Sequence, residues 1–152
     1  MSQEASETTV VCMAASFEAF GMIMDFLAES DVFSNFELGT LAGVVRRQLR
    51  DGNNLAAICD NQIVGYAGWL HTNQGIGEEW MENRAILSPL QEADSDAAAL
   101  TVVAVSDPKV TSRLIRGARE LNKGKRVFFK RGYDGIVRPG RKSSVLNVSS
   151  DR

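Results

Sequence analysis

A chain of 152 residues has the length of one ordinary domain and is long enough to bury a core. Its 44% hydrophobic and 24% charged residues exclude wholesale disorder, and its apolar runs are too short to span a membrane. The polar, acidic start of the chain does not resemble a signal peptide, which favours a cytoplasmic location. Two cysteines without metal-ligand spacing predict a reduced pair and no metal site.

The net charge of −2 conceals two segments of opposite sign. Residues 1–108 carry 4 Arg against 16 Asp and Glu, whereas residues 109–152 carry 13 Lys and Arg against 3 Asp and Glu. A basic third of this kind favours an anionic partner. The alternative is that the two segments face each other within the fold or across a dimer. The asymmetry does not demand a separate partner, because exposed charge pairs contribute little to stability.

The predicted elements begin with a flexible acidic segment at residues 1–12, ahead of a single domain over residues 13–148. A helix is predicted from Ser16 to about Ser30, because apolar residues recur there at spacings of three and four. Ser34 and Glu37 have the spacing of a capping box and predict the start of a second helix, which residues 51–53 close.

A β-hairpin is predicted next, with strands at 55–59 and 63–70 joined by a tight turn that contains Asp and Asn. Gly65 and Gly68 indicate a bulge in the second strand, or a close approach by another backbone or a ligand. Residues 77–82 are predicted to form a short helix, and residues 88–96 a loop.

The apolar run at 98–105 predicts a central strand that is buried on both faces. Asp107 and Pro108 then suit the N-cap and first position of a helix that ends near Gly124. Two last strands are predicted at residues 126–130 and 145–148. Because a crossover helix between two apolar strands implies a parallel pair, we expect an α/β (α+β) fold with a mixed sheet flanked by helices. The order of the elements resembles the N-acetyltransferase-like fold in outline, which is an analogy at the level of the fold.

Three sequence features resemble the toxin-activating lysine acyltransferases, over residues 17–146. They are V-G-Y-A-G-W at 64–69, V-S-D-P at 105–108, and a basic end with R-V-F-F-K-R at 126–131 and G-I-V-R at 135–138. The resemblance implies an acetyltransferase-like fold, a homodimer, and transfer of a fatty acyl group from acyl carrier protein to lysines of an acceptor protein. The donor would be the carrier's phosphopantetheine thioester, with no separately bound cofactor.

In that family, a His early in the chain and an Asp in the central strand carry the catalysis. The corresponding positions here are near Phe33 and near Val103 or Ala104, so neither catalytic residue is carried over. One alternative is therefore a catalytically inactive binding module for a carrier or partner protein. The other alternative is an acetyl-CoA-dependent N-acetyltransferase. Residues 106–111 argue against it, because they lack the glycines that cradle a pyrophosphate.

The candidate catalytic residues are His71, which is the only histidine, and Asp107, which follows the central strand. A histidine suits a general base because its pKa lies near neutrality, whereas the N-cap role of Asp107 is the simpler interpretation. Cys59 is a candidate acyl-accepting thiol, with structural burial as the ordinary alternative. The large aromatic residues near these positions are predicted to lie in the core: Trp69, Phe128 and Phe129.

The predicted docking surface for an acidic carrier protein is a cluster of basic residues after the central strand: Arg113, Arg116, Arg119, Lys123, Lys125 and Arg126. A solvated helix face is the alternative interpretation of this cluster. Single-stranded nucleic acid is disfavoured as a partner, because the pI of the chain is about 5.5 and no nucleic-acid-binding motif occurs.

Overall fold

The computed structural model describes residues 7–129 and the strand at residues 144–146. In this part of the chain, six strands form one sheet in which their spatial order is their order in the sequence. The strands are β1 (Thr9–Val11), β2 (Asn54–Cys59), β3 (Gln62–Thr72), β4 (Ala97–Val105), β5 (Arg126–Phe129) and β6 (Ser144–Leu146). The α-helices are α1 (Phe17–Ala28), α2 (Leu38–Asp51), α3 (Gln74–Met81) and α4 (Thr111–Leu121).

The sheet is mixed, because β4 and β5 are parallel while the other neighbouring strands are antiparallel. Helix α4 connects β4 to β5, as the predicted crossover requires. The first four residues of β4, Ala97–Leu100, are fully buried between β3 and β5. The apolar run therefore predicted the central strand correctly.

Helices cover both faces of this sheet. On one face, α1 and α2 place Ile23 and Val45 in a cluster with Tyr66 and Val102. On the other face, α4 places Leu114 and Ala118 in a cluster with Trp69 and Leu100. Helix α3 covers β4 and β5 at one end, where Trp80 and Met81 pack in a cluster with Phe128.

Two predictions about the first 37 residues are wrong. Thr9–Val11 is not part of a flexible segment, because it pairs antiparallel with β2 and extends the sheet. Ser34 and Glu37 do not form a capping box, because Ser34 lies in a 3₁₀ turn, Phe33–Asn35, and its N–H donates to the carbonyl of Ser30. Helix α2 then begins after Glu37, without a side-chain cap.

The remaining element predictions agree with the structure where it describes them. The hairpin of β2 and β3 turns at Asp60 and Asn61, which both have positive φ angles. The loop at 88–96 contains one 3₁₀ turn, Glu92–Asp94. The aromatic residues predicted to be core are buried: Trp69, Phe128 and Phe129.

Several sequence predictions fall on residues outside the described part of the chain, namely residues 1–6, 130–143 and 147–152. They include the basic stretches at 130–131 and 135–138 and the end of the last predicted strand. Among the described residues, no helix is long and apolar enough to cross a membrane.

Candidate functional site

The central strand contains a β-bulge at Thr101. In the pairing of β3 with β4, Trp69 is opposite Leu100 and Gly68 is opposite Val102, so Thr101 is an extra residue on β4. The glycines predicted a bulge in β3 itself, and that bulge is at Val64, between the pairs Ala57–Gly65 and Ile58–Ile63. The bulge at Thr101 lies opposite Gly68 but on β4, so the sequence did not predict it. A bulge bends its strand and takes backbone groups out of the ladder, which is why bulges often lie beside functional sites.

The pairing of β4 with β5 is described as far as the same point, because the described residues of β5 end at Phe129. These parallel strands pair from Ala97–Arg126 to Leu100–Phe129, whereas β4 continues to Val105. Within the described residues, positions 101–105 of β4 are paired with β3 alone. No described residue pairs with the other edge at these positions, which lie at the carboxyl end of the parallel pair, where open α/β sheets bind their ligands.

Gln48 of α2 is hydrogen-bonded to the bulge. Its Nε2 donates to Thr101 Oγ1 at 2.9 Å, and its Oε1 accepts a hydrogen bond from the Tyr66 hydroxyl at 2.8 Å. Gln48 is 1% exposed and Tyr66 is 0% exposed. Gly68 makes room for this arrangement, because a Cβ at that position would collide with the carboxamide of Gln48.

Burial raises the pKa of Tyr66 far above its usual value, and the nearby Cys12 acts in the same direction. The phenol therefore stays protonated and acts as a donor to Gln48. Gln48 also lines a cavity of about 370 Å³, together with Gly43 and Leu70. Gln48 therefore contacts both this cavity and the bulge.

Sequence reasoning did not identify Gln48 or Thr101, although both positions carry a signal. Gln48 is a polar residue beside Leu49 on the buried face of α2, three residues after Val45. Thr101 is the one polar residue in the apolar run at 98–105. A polar residue inside an apolar pattern indicates a buried hydrogen bond, but the pattern does not identify the partner.

The loop from β4 to α4 uses its backbone N–H groups internally. The Ser106 N–H donates to a carbonyl of β3 at 2.9 Å. The Lys109 N–H donates to Asp107 Oδ1 at 3.0 Å, and the Val110 N–H donates to the Asp107 carbonyl at 3.1 Å. Asp107 is therefore an N-cap as predicted, for the 3₁₀ turn that leads into α4. Because Pro108 has no N–H, this loop offers few donors to a pyrophosphate.

The structure does not bring the two predicted catalytic residues together. His71 is opposite Ala98 near the start of β4, whereas Asp107 follows Val105 at the other end of that strand. At about 3.3 Å per residue, they are more than roughly 20 Å apart along the strand. Cys59 is half-buried at the end of β2, and β3 separates it from β4.

The surroundings of His71 disfavour a role as general base. Its Nδ1 lies 3.4 Å from Nζ of Lys125. A protonated ammonium donates and does not accept, so Nδ1 accepts and the ring proton is on Nε2. Burial lowers the pKa of His71 and the charge of Lys125 lowers it further, against opposing effects of Glu92 and Asp51. His71 is therefore neutral at pH 7, and the lone pair of Nδ1 is engaged.

The six predicted docking residues form two groups. Lys125 turns inward, where its Nζ donates to the carbonyl of Glu92 at 2.9 Å, and Arg126 pairs with Glu78 at 3.3 Å. The exposed group lies on α4 and just beyond it: Arg113, Arg116, Arg119 and Lys123. We call this exposed group the α4 basic face.

The sequence matches no known protein family and no curated protein. Solved structures match the fold. An acetyltransferase of the GNAT family from Streptococcus agalactiae has a TM-score of 0.56 at 11% identity, over 84% of this chain and 78% of that chain. A GCN5-related N-acetyltransferase from Kribbella flavida has a TM-score of 0.52 at 16% identity, over 84% of this chain and 30% of that chain. The predicted N-acetyltransferase-like fold is confirmed, and the resemblance to toxin-activating acyltransferases stays a prediction.

Proposed function

We propose that the protein transfers an acyl group from the phosphopantetheine thioester of an acyl carrier protein to a lysine amine of an acceptor protein. The observation that carries this proposal is the bulge at Thr101, next to the last described pair of β4 with β5. A pantetheine arm contains two amide groups, which could pair with the edge of β4 at positions 101–105 as an added strand does. Coenzyme A carries the same arm, so this edge alone does not distinguish the two donors.

The reaction forms the C–N bond of an amide and breaks the C–S bond of the thioester. Backbone N–H groups that the bulge removes from the ladder would donate to the oxyanion of the tetrahedral intermediate. Tyr66 is buried and stays protonated, so it is not the base. The amine releases its proton to solvent, and the departing thiolate takes up a proton from solvent. We therefore expect the rate to rise with pH as the lysine amine becomes deprotonated.

The loop after β4 favours a carrier protein over coenzyme A. The N–H groups of Lys109 and Val110 are bonded to Asp107, whose carboxylate would also repel a pyrophosphate. A carrier protein is held by its own acidic surface and needs no such cradle. Helix α4 begins beside the end of β4, so its basic face could dock a carrier with the arm directed at the bulge.

The test uses the full chain, acyl carrier protein loaded with a radiolabelled fatty acyl group, and a lysine-rich polypeptide as acceptor. We expect the acceptor to gain label in an amide that resists hydroxylamine, and calorimetry to show binding of the carrier. Coenzyme A should leave the melting temperature unchanged, since a ligand that binds the native state raises it. Absence of both transfer and carrier binding would overturn the proposal.

Charge reversal separates docking from chemistry. Arg116→Glu should weaken carrier binding by about tenfold or more, because it places a carboxylate opposite an acidic partner. The matched control is Arg84→Glu, which reverses an exposed arginine outside α4 and should leave binding unchanged. Carrier binding without acyl transfer would favour the inactive binding module. Stabilisation by coenzyme A, with transfer from acetyl-CoA, would favour the ordinary N-acetyltransferase.

A further inference from the structure

We propose that the protein has a second site, distinct from the bulge of β4, which binds a small polar anion beside His71. A cavity of about 490 Å³ opens between the end of α2, the end of β3 and residues 89–92. The polar residues around it include Arg47, Arg50, Asn53, His71, Gln91 and Glu92. The proposal does not depend on the acyl-transfer function.

Two buried polar side chains in this cavity have unused hydrogen-bonding groups. Asn53 is 9% exposed and His71 is 8% exposed, and both line the cavity. Within the described residues, neither the Asn53 carboxamide nor Nε2 of His71 has a hydrogen-bond partner. Neither group is among the polar atoms shut off from solvent, so both are reached through the cavity, and a ligand there could bond to them in place of water.

Two arginines supply charge at the same cavity. Arg47 and Arg50 lie in the last turns of α2, and each approaches the Asp51 carboxylate at 3.7 Å. That distance is too long for a strong hydrogen bond, so both guanidinium groups keep donors for a ligand. Guanidinium groups bind carboxylates and phosphates through paired donors, and these bonds are among the stronger hydrogen bonds in proteins.

The charged side chains that line the cavity balance, with Arg47 and Arg50 against Asp51 and Glu92. Lys125 does not line the cavity, but it adds a positive charge next to it through its contact with Nδ1 of His71. His71 is neutral, and its contact with Lys125 places the ring proton on Nε2 as a further donor.

The ligand chemistry follows from these groups. A carboxylate or phosphate group would accept from the two arginines and from Nε2 of His71. The carboxylates of Asp51 and Glu92 would accept from a hydroxyl or amino group on the same ligand. We therefore expect a small anion that also carries hydrogen-bond donors.

Because His71 is the only histidine, its ring C–H resonances report on this site directly in NMR spectra of the full chain. The probes are inorganic phosphate, acetate and glycine, titrated at constant ionic strength, with glycerol as the neutral control. We expect a saturable shift of the His71 resonances and a rise in the pKa of His71 with an anionic probe, because a bound anion stabilises the imidazolium. Phosphate, acetate and glycine distinguish a phosphate, a simple carboxylate and a carboxylate with an adjacent ammonium.

Matched arginine variants provide the control. Arg47→Gln should weaken probe binding by about tenfold or more. Arg46→Gln should leave it unchanged, because Arg46 lies over the ring of Phe20, 5.6 Å from its centroid. The proposal is overturned if no probe gives a saturable shift, if glycerol acts as the anions do, or if Arg46→Gln and Arg47→Gln weaken binding equally.

Discussion

The hydrogen bonds of Gln48 at the bulge should contribute measurably to stability. Gln48→Met keeps the length of the side chain but removes both hydrogen bonds. The fully buried Tyr66 hydroxyl would lose its acceptor, which costs about 1–3 kcal/mol, and Thr101 would lose a hydrogen bond worth about 1 kcal/mol. We therefore expect the free energy of unfolding to fall by about 2–4 kcal/mol.

A double-mutant cycle tests whether this loss comes from the pairing of Gln48 with Tyr66. Tyr66→Phe alone should cost about 1 kcal/mol, because Gln48 Oε1 loses its donor. In the Gln48→Met background the same change removes a hydroxyl that has no partner, so it should be neutral or stabilising. The expected coupling energy is about 1–2 kcal/mol.

Urea unfolding followed by tryptophan fluorescence provides the measurement, since Trp69 is buried in the core. Gln62→Met is the matched control, because Gln62 is exposed on β3 and its substitution should change stability by less than about 0.5 kcal/mol. Strict additivity of Gln48→Met and Tyr66→Phe would show that the two residues are not coupled and would refute the reasoning.

Other substitutions test the packing and the electrostatics. Gly77→Ala should destabilise the protein by about 1–3 kcal/mol in urea, because its Cβ would collide with the buried ring of Phe128. Gly21→Ala, at an open position in α1, should instead stabilise it by about 0.5–1 kcal/mol. His71 should titrate below its ordinary pKa of 6.5 in NMR, and Lys125→Met should raise that pKa by removing a positive charge. The imidazole of His71 binds a proton more readily in the unfolded chain than in the folded protein. The free energy of unfolding should therefore include the full contribution of neutral His71 above about pH 6.5, and this contribution should be lost as the pH falls towards the folded pKa.

The order of the elements was predictable because most of them carry a local signal. The apolar run of β4 and the Asp60–Asn61 turn of the hairpin each indicate one structure over a few neighbouring residues. Strand β1 was not predictable in this way, because Thr9–Val11 has only three residues and its stability comes from pairing with β2. Spacings of three and four put Phe17 in line with the other apolar residues of α1, yet Phe17 is exposed at the first position of the helix.

The site was less predictable than the fold, because its contacts join distant parts of the chain. Gln48 and Thr101 are 53 residues apart in sequence, and no spacing rule connects a helix to a later strand. His71 was a reasonable candidate from its chemistry alone. The contact with Lys125, 54 residues away, changes that interpretation by occupying the nitrogen that a general base would use.

The structure also sharpens the meaning of the charge asymmetry. The basic segment begins at residue 109, but Lys125 and Arg126 contact Glu92 and Glu78, so part of it faces the acidic segment within the fold. The α4 basic face is exposed, and α4 has 11 residues, or about 16 Å of length. A partner that recognises this face must therefore match a short row of positive charges with acidic groups at similar spacing. Under the proposed function, an acidic helix of a carrier protein would meet that requirement, and its tethered thioester would enter at positions 101–105 of β4, close to where the row starts.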